Sequence, residues 1–268
     1  TSPVSLSFIL NTQPSVNVTL NCWSTDTSEA SISPSGLIFI PSKWNVPVNF
    51  TVRGVDDSIA DGNVTYSIVC NFISTDSYNN LAFTEITFVN LDKDKMGVNM
   101  TVSGYQTSED ESQSIDITFV LTSQPAASVS LNVTIWDKTE GKFASEVGLP
   151  ITIFPPNWNT PRKLTIVGVP DQLRDGDQTY MVTVRTISAD ALYNKISPDG
   201  SPLFITNIDI DVPGLNIRNS SALITSEIGS GITFYARLRC IPESNVVISL
   251  QSNNTGEGKV SPSTLTFT

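Results

Sequence analysis

The chain has 268 residues, enough for two or three domains, and its 15 basic and 26 acidic side chains give a formal net charge of -11. Histidine is absent and there are three cysteines, which excludes His-based triads, His metal ligands and four-cysteine zinc sites. The negative charge repels phosphate backbones and anionic membranes, so nucleic acid is a poor partner.

Charged residues make up 15% of the chain, against ~25% in an ordinary soluble domain. Ser and Thr together number 63, so hydroxyls stand where charges usually do, as in secreted β-proteins. No apolar run reaches the ~18 residues of a membrane span, and no signal peptide is present. The chain lacks an initiator Met and reads as a segment of something longer.

In chain order, apolar and polar residues alternate with the period of half-buried strands, as in Val48–Arg53 and Asn63–Cys70. The spacing predicts strands near 97–106, 114–122, 128–136, 148–154, 161–168, 178–187 and 203–210, separated by Gly, Pro, Asn and Asp clusters. No stretch of ten residues has a 3.6-residue apolar period, so the fold is all-β: tandem seven-stranded antiparallel sandwiches.

The strands fall into an internal repeat. Trp44-Asn45-Val46-Pro47 returns as Trp158-Asn159-Thr160-Pro161, and Gly54-Val55-Asp56-Asp57 with Asp61-Gly62 and Thr65-Tyr66 returns as Gly168-Val169-Pro170-Asp171 with Asp175-Gly176 and Thr179-Tyr180, both after 114 residues. Ser33-Pro34-Ser35 returns as Ser261-Pro262-Ser263, twice 114 residues later. The chain therefore divides into a repeat lacking its first strand (1–95), a complete repeat (96–211) and the N-terminal part of a third (212–268), and incomplete ends at Thr1 and Thr268 are expected to be completed by adjoining polypeptide, through strand addition or head-to-tail stacking.

The acidic Thr107-Ser108-Glu109 echoed by Thr225-Ser226-Glu227, the "Ser-Pro-x-x-Leu-x-Phe" strand and the "Gly-Val-x-Asp … Asp-Gly-x-x-Thr-Tyr" turn resemble the Calx-β and immunoglobulin-like tandem repeats of large surface proteins. The resemblance spans the whole chain and implies an extracellular spacer, an adhesin or a calcium-binding module. Pro170 stands where the first repeat has Asp56, so a ligand set does not transfer uniformly.

Successive antiparallel strands bring alternate turns to one pole, where most of the acids fall. Crowded like charges call for a hard cation with oxygen ligands, and calcium fits ligands drawn from several turns. The expected ligands are Glu109, Asp171, Asp175 and Asp211 in the middle repeat and Asp57, Asp61 and Asp94 in the first, where Lys93 and Lys95 compete for the acids.

Asn-x-Ser/Thr sequons at Asn17, Asn49, Asn63, Asn99, Asn132, Asn219 and Asn253 are candidate glycosylation sites, and Asn49, Asn99 and Asn132 sit between inward-facing residues on polar faces. Cys22 and Cys70 occupy inward positions on neighbouring strands and are expected to form a disulfide in an oxidising compartment; the middle repeat has Ile135 and Val184 there, and Cys240 has no evident partner. Trp44 and Trp158 are expected to close the sandwich ends, and Tyr66 and Tyr180 to act as corner residues bonded to backbone. Acids recurring in every repeat look like ion sites more than one catalytic pair, so no enzyme activity is expected. The functional expectation is a structural segment of a secreted, glycosylated filament or cell-surface stalk. The alternative is a calcium-dependent adhesin or carbohydrate-binding module, for which the outward-facing Trp23 and Trp136 are the residues to test.

Overall fold

The computed structural model describes residues 2–83, 85–219, 223–229 and 231–268. Thr1, and with it the expected incomplete N-terminal end, lies outside the described residues, as do Ser220 and Ser221 of the Asn219 sequon. The chain is all-β and forms two compact units: residues 1–97 with 121–127 and 154–159, and residues 98–120, 128–153 and 160–268.

In the first unit β1 (Val4–Phe8), β5 (Val48–Gly54) and β3 (Ala30–Ser33) form one sheet in the order β1-β5-β3. The facing sheet, β4-β2-β6-β7, uses β4 (Gly36–Phe39), β2 (Val18–Ser24), β6 (Val64–Ile73) and β7 (Ile86–Asn90). All the pairings are antiparallel. Alternation along β6 sends Tyr66, Ile68, Cys70 and Phe72 inward, where they meet Phe50 and Val52 of β5 and Leu20 of β2. Cys22 faces Cys70 in the β2–β6 register. The two are joined at Sγ–Sγ 1.98 Å with Cα atoms 4.1 Å apart, close to the spacing of a non-hydrogen-bonded antiparallel pair.

In the second unit β12 (Gly141–Phe143), β14 (Arg162–Gly168), β10 (Ser114–Leu121) and β8 (Val98–Val102) form one sheet, in the order β12-β14-β10-β8. The other sheet, β13-β11-β15-β16-β9, contains β13 (Ile151–Ile153), β11 (Val129–Ile135), β15 (Gln178–Ser188), β16 (Leu203–Ile208) and β9 (Gln106–Ser108). Ile115, Ile117, Phe119, Leu164 and Ile166 of the first sheet and Leu131, Val182, Val184, Leu203 and Ile205 of the second are buried. Burying each such side chain contributes about 1.5–3 kcal/mol.

Residues 96–211 thus hold nine strands. The expected first strand breaks into β8 and β9, which enter opposite sheets, with β9 running parallel to β16. The register also pairs Val184 with Val133, and Ile135 with Val182, so Val133 and not Ile135 is the counterpart of Cys22. The strands continue with β17 (Leu215–Asn219) paired to β18 (Phe234–Leu238), and β19 (Val246–Ser249) paired to β20 (Thr264–Phe267).

Trp44 follows a 3-10 turn over Pro41–Lys43 and packs partly buried against the core. Its carbonyl accepts the Leu10 N–H, and that of Trp158 likewise accepts the Leu121 N–H. Tyr180 differs from expectation. The Tyr180 hydroxyl pairs with the Thr107 hydroxyl at 3.3 Å, a side-chain partner, and Tyr66 stacks on Phe88 with ring centroids 5.6 Å apart.

Candidate metal centre

Three local turns recur in both repeats and position most of the clustered acids, while Glu109 follows β9 and accepts the Ile210 N–H at 3.2 Å. The first follows β2 and β11: the Asp26 carboxylate accepts the Ser28 N–H and the Asp137 carboxylate accepts the Thr139 N–H, both at 2.9 Å. These turns place Glu29 and Glu140 inward, and both are buried. The Asn254 side chain makes the same turn with the Gly256 N–H ahead of Glu257.

The second turn follows β5 and β14. Asp57 accepts the Ile59 N–H at 2.8 Å and Asp171 accepts the Leu173 N–H at 2.6 Å, which fixes one carboxylate oxygen and leaves the other to a ligand. The third is an Asp-Gly turn. Gly62 and Gly176 adopt φ of 84° and 78°, a left-handed conformation that glycine adopts without steric cost. Their N–H groups donate to Asp92 and Asp209, both at 2.8 Å. Those aspartates also accept the N–H of Asp94 and Asp211, both at 2.7 Å, so they serve as latches that hold the segment after the last strand against the Asp-Gly turn.

Ligand oxygens of Glu109, Asp171 and Asp211 lie within 4.8 Å of one another, as do those of Glu140, Asp171 and Asp175, and those of Glu29, Asp57 and Asp61. Asp171 belongs to two groups. Of the expected residues, Glu109, Asp171, Asp175, Asp211, Asp57 and Asp61 thus stand in acidic groups. Asp94 lies outside the three groups found among the described residues, and the Lys93 ammonium lies 2.8 Å from Asp56 and 3.7 Å from Asp94, supplying an internal cation where the middle repeat has Pro170 and Ile210. Glu29 and Glu140 also stand in acidic groups and were not among the expected residues, although the Asp-x-x-Glu spacing of 26–29 and 137–140 is a recurrent signal for them.

Like charges crowd the middle cluster. Burial pushes the Glu109 carboxyl above its ordinary range, and Asp171, Asp209 and Asp211 add repulsion. Glu140 is raised by burial and by Asp175, Asp137 and Asp171, and Asp211 by burial and by Asp209 and Asp171. One Asp211 carboxylate oxygen is fully buried without a hydrogen-bond partner. In the first unit the corresponding acids and Lys93 line a cavity of about 370 Å3.

These shifts predict an inverted pH response in chelator. A carboxyl with a raised folded pKa binds more protons folded than unfolded, so stability falls as pH rises from the ordinary carboxylate range through the folded value. Melting temperature is expected to be higher near pH ~5 than near pH ~7. At lower pH the trend reverses, because Asp76 and Asp110 have pKa values lowered to about 2 by hydrogen bonds and lose that contribution on protonation. A melting temperature that climbs steadily from the lower to the higher value would contradict the assignment.

The same loops make a second recurrent contact. Within the first unit the Ser58 carbonyl, one residue after Asp57, accepts the Gln124 N–H at 2.6 Å; within the second the Gln172 carbonyl, one residue after Asp171, accepts the Ile241 N–H at 2.7 Å. Each donor precedes a proline, Pro125 or Pro242.

No protein-family model and no curated protein matches the chain. Among solved structures, the CBD12 segment of CALX1.2 is similar at 14% identity and a TM-score of 0.31, covering 70% of this chain and 76% of that one. The calcium binding domain CBD12 of CALX1.1 gives 10%, 0.31, 74% and 76%. Domains 4–9 of the surface layer protein SbsC give 9% and 0.31, covering 88% of this chain and 31% of theirs. No helix among the described residues is long and apolar enough to cross a membrane.

Proposed function

We propose that this chain is a structural segment of a secreted, glycosylated tandem-repeat filament or cell-surface stalk in which calcium binds the acidic end of a repeat and stiffens its connection to the next. The boundaries 1–95, 96–211 and 212–268 delimit the repeats in this reading. The observation that carries it is the middle cluster, where Glu109, Asp171 and Asp211 converge around a buried carboxylate oxygen with no partner. Three carboxylates drawn from separate loops suit a cation that takes six to eight oxygen ligands, the remainder being carbonyl and water oxygens.

Stiffening follows from chain connectivity. Asp171 is the residue before Gln172, whose carbonyl holds Ile241, and Asp57 stands in the same relation to Ser58 and Gln124. A cation that fixes Asp171 thereby orders the loop that makes the bridge. Lys93 already neutralises part of the first cluster, so the middle repeat is the stronger site.

Six sequon asparagines, Asn17, Asn49, Asn63, Asn99, Asn132 and Asn253, are exposed and suit glycans projecting into solvent. The disulfide suits an oxidising compartment. The carbohydrate-binding alternative draws support from aromatic side chains exposed in the middle repeat.

The test is thermal unfolding in millimolar calcium against chelator. At a hundredfold excess over the dissociation constant, calcium adds about 2.7 kcal/mol, a rise of about 5–10 °C for a chain of this size. Asp171→Asn should abolish most of the rise, because this residue belongs to two acidic groups. An unchanged melting temperature in wild type would leave only a solvated acidic surface.

A further inference from the structure

The outer face of the five-stranded sheet of the second unit carries the aromatic side chains of Trp136 and Phe204 in a row, with Tyr105 exposed beside β9. Trp136 is 64% exposed, Phe204 60% and Tyr105 60%. Trp136 lies one residue beyond β11, and its backbone N–H donates to the Met181 carbonyl at 3.0 Å. Met181 pairs in register with Phe204. The corresponding positions of the first repeat are Thr25, Ser67 and Thr87, where hydroxyls bond one another and the backbone. The indole is held in place, since Trp136 Nε1 donates to the Thr183 hydroxyl at 3.1 Å.

On the same strand and the same face, four residues before Trp136, stands the exposed sequon residue Asn132. A rise of about 3.3 Å per residue separates them by about 13 Å, beyond the first sugar of an N-linked glycan and within reach of its branching core. The surface between them is Thr134 and its register partner Thr183, and the charged residue facing Asn132 is Arg185. Hydroxyls beside a fixed aromatic plane suit a sugar, whose C–H face stacks on the ring while its rim hydrogen-bonds. In the first repeat exposed Asn17 and exposed Trp23 also fall on one face, six residues apart, although Trp23 aligns with Thr134 and not with Trp136.

We propose that the glycan on Asn132 folds back along β11 and stacks a sugar on Trp136. This rests on the reading that the sequons are occupied. Trp136 is then covered by the protein's own carbohydrate, which protects this part of the sheet face without adding charge.

The test compares the chain made in a glycosylating host with its Asn132→Gln variant, with peptide mapping to establish occupancy and N-bromosuccinimide oxidation read at the Trp136 peptide. Oxidation of Trp136 should be about five-fold slower in the glycosylated wild type, the population ratio set by an ordinary stacking contact. Enzymatic removal of the glycan should restore the rate without unfolding the chain. An occupied Asn132 with Trp136 as reactive as in the variant overturns the proposal and leaves the glycan reading standing. An unoccupied Asn132 in native material overturns both at this position, and protection by added free oligosaccharide would then assign the row to an external ligand.

Discussion

Reducing the Cys22–Cys70 disulfide is expected to cost the first unit about 4 kcal/mol of unfolding free energy. The bond closes a loop with a sequence separation of 48, and the chain-entropy relation for a loop of that size gives about 4 kcal/mol. Both cysteines are buried, at 1% and 8% exposure, so opening the bond also leaves two thiols in an apolar interior. Urea unfolding with and without a phosphine reductant measures the effect, and a midpoint shift of about 2 M is expected for an m-value near 2 kcal/mol/M. Replacing both residues by valine should lose less than replacing both by alanine, because the middle repeat fills the same register with Val133 and Val184 and alanine leaves a cavity. Equal midpoints for oxidised and reduced protein would show that the cross-link does not constrain the unfolded chain.

Gly168→Ala is expected to be the most damaging single methyl addition in the second unit, at about 3 kcal/mol. Gly168 ends β14 and pairs with Gly141. A Cβ at Gly168 would collide with the Asn207 side-chain oxygen and the Ser108 carbonyl. Backbone cannot swing aside as the end of a flexible side chain can. Asn207 is buried, donates to Glu140 at 3.2 Å and accepts from the Thr107 hydroxyl at 3.2 Å, so displacing it unpairs several buried groups together. The melting temperature reads this directly, and a loss under about 1 kcal/mol would mean that β9 moves freely. Gly62→Ala, at a turn with no atoms near its Cβ, is the control for backbone strain alone.

Much of this architecture is written in local pattern. Alternation along Tyr66–Phe72 placed the core, and the Asp-Gly turns announced themselves because only glycine suits their backbone. The β8–β9 break was not legible. Gln106-Thr107-Ser108 has no apolar alternation, and its place is set by backbone pairing and one buried threonine, which are tertiary facts. Glu29 and Glu140 lay in a visible repeat, but an Asx turn that drives a glutamate inward cannot be told from a solvated turn by polarity. The ion pairing beside Asp94 was not legible for a different reason: Lys93 is visible in the sequence, but its reach to Asp56 depends on two loops meeting in space.

The parallel pairing of β9 with β16 has a mechanical consequence. Gln106, Thr107 and Ser108 lie beside Thr206, Asn207 and Ile208, so strands near the beginning and the end of the middle repeat run side by side in one direction. Tension applied through the chain pulls β9 toward its N-terminus and β16 toward its C-terminus. The hydrogen bonds between them are then sheared together, where an antiparallel hairpin pulled from its open end would unzip one bond at a time. Shared loading makes rupture cooperative, and the buried Thr107–Asn207 contact adds side-chain resistance to the same slip. A repeat closed in this way holds its length under load until the clamp fails as a unit.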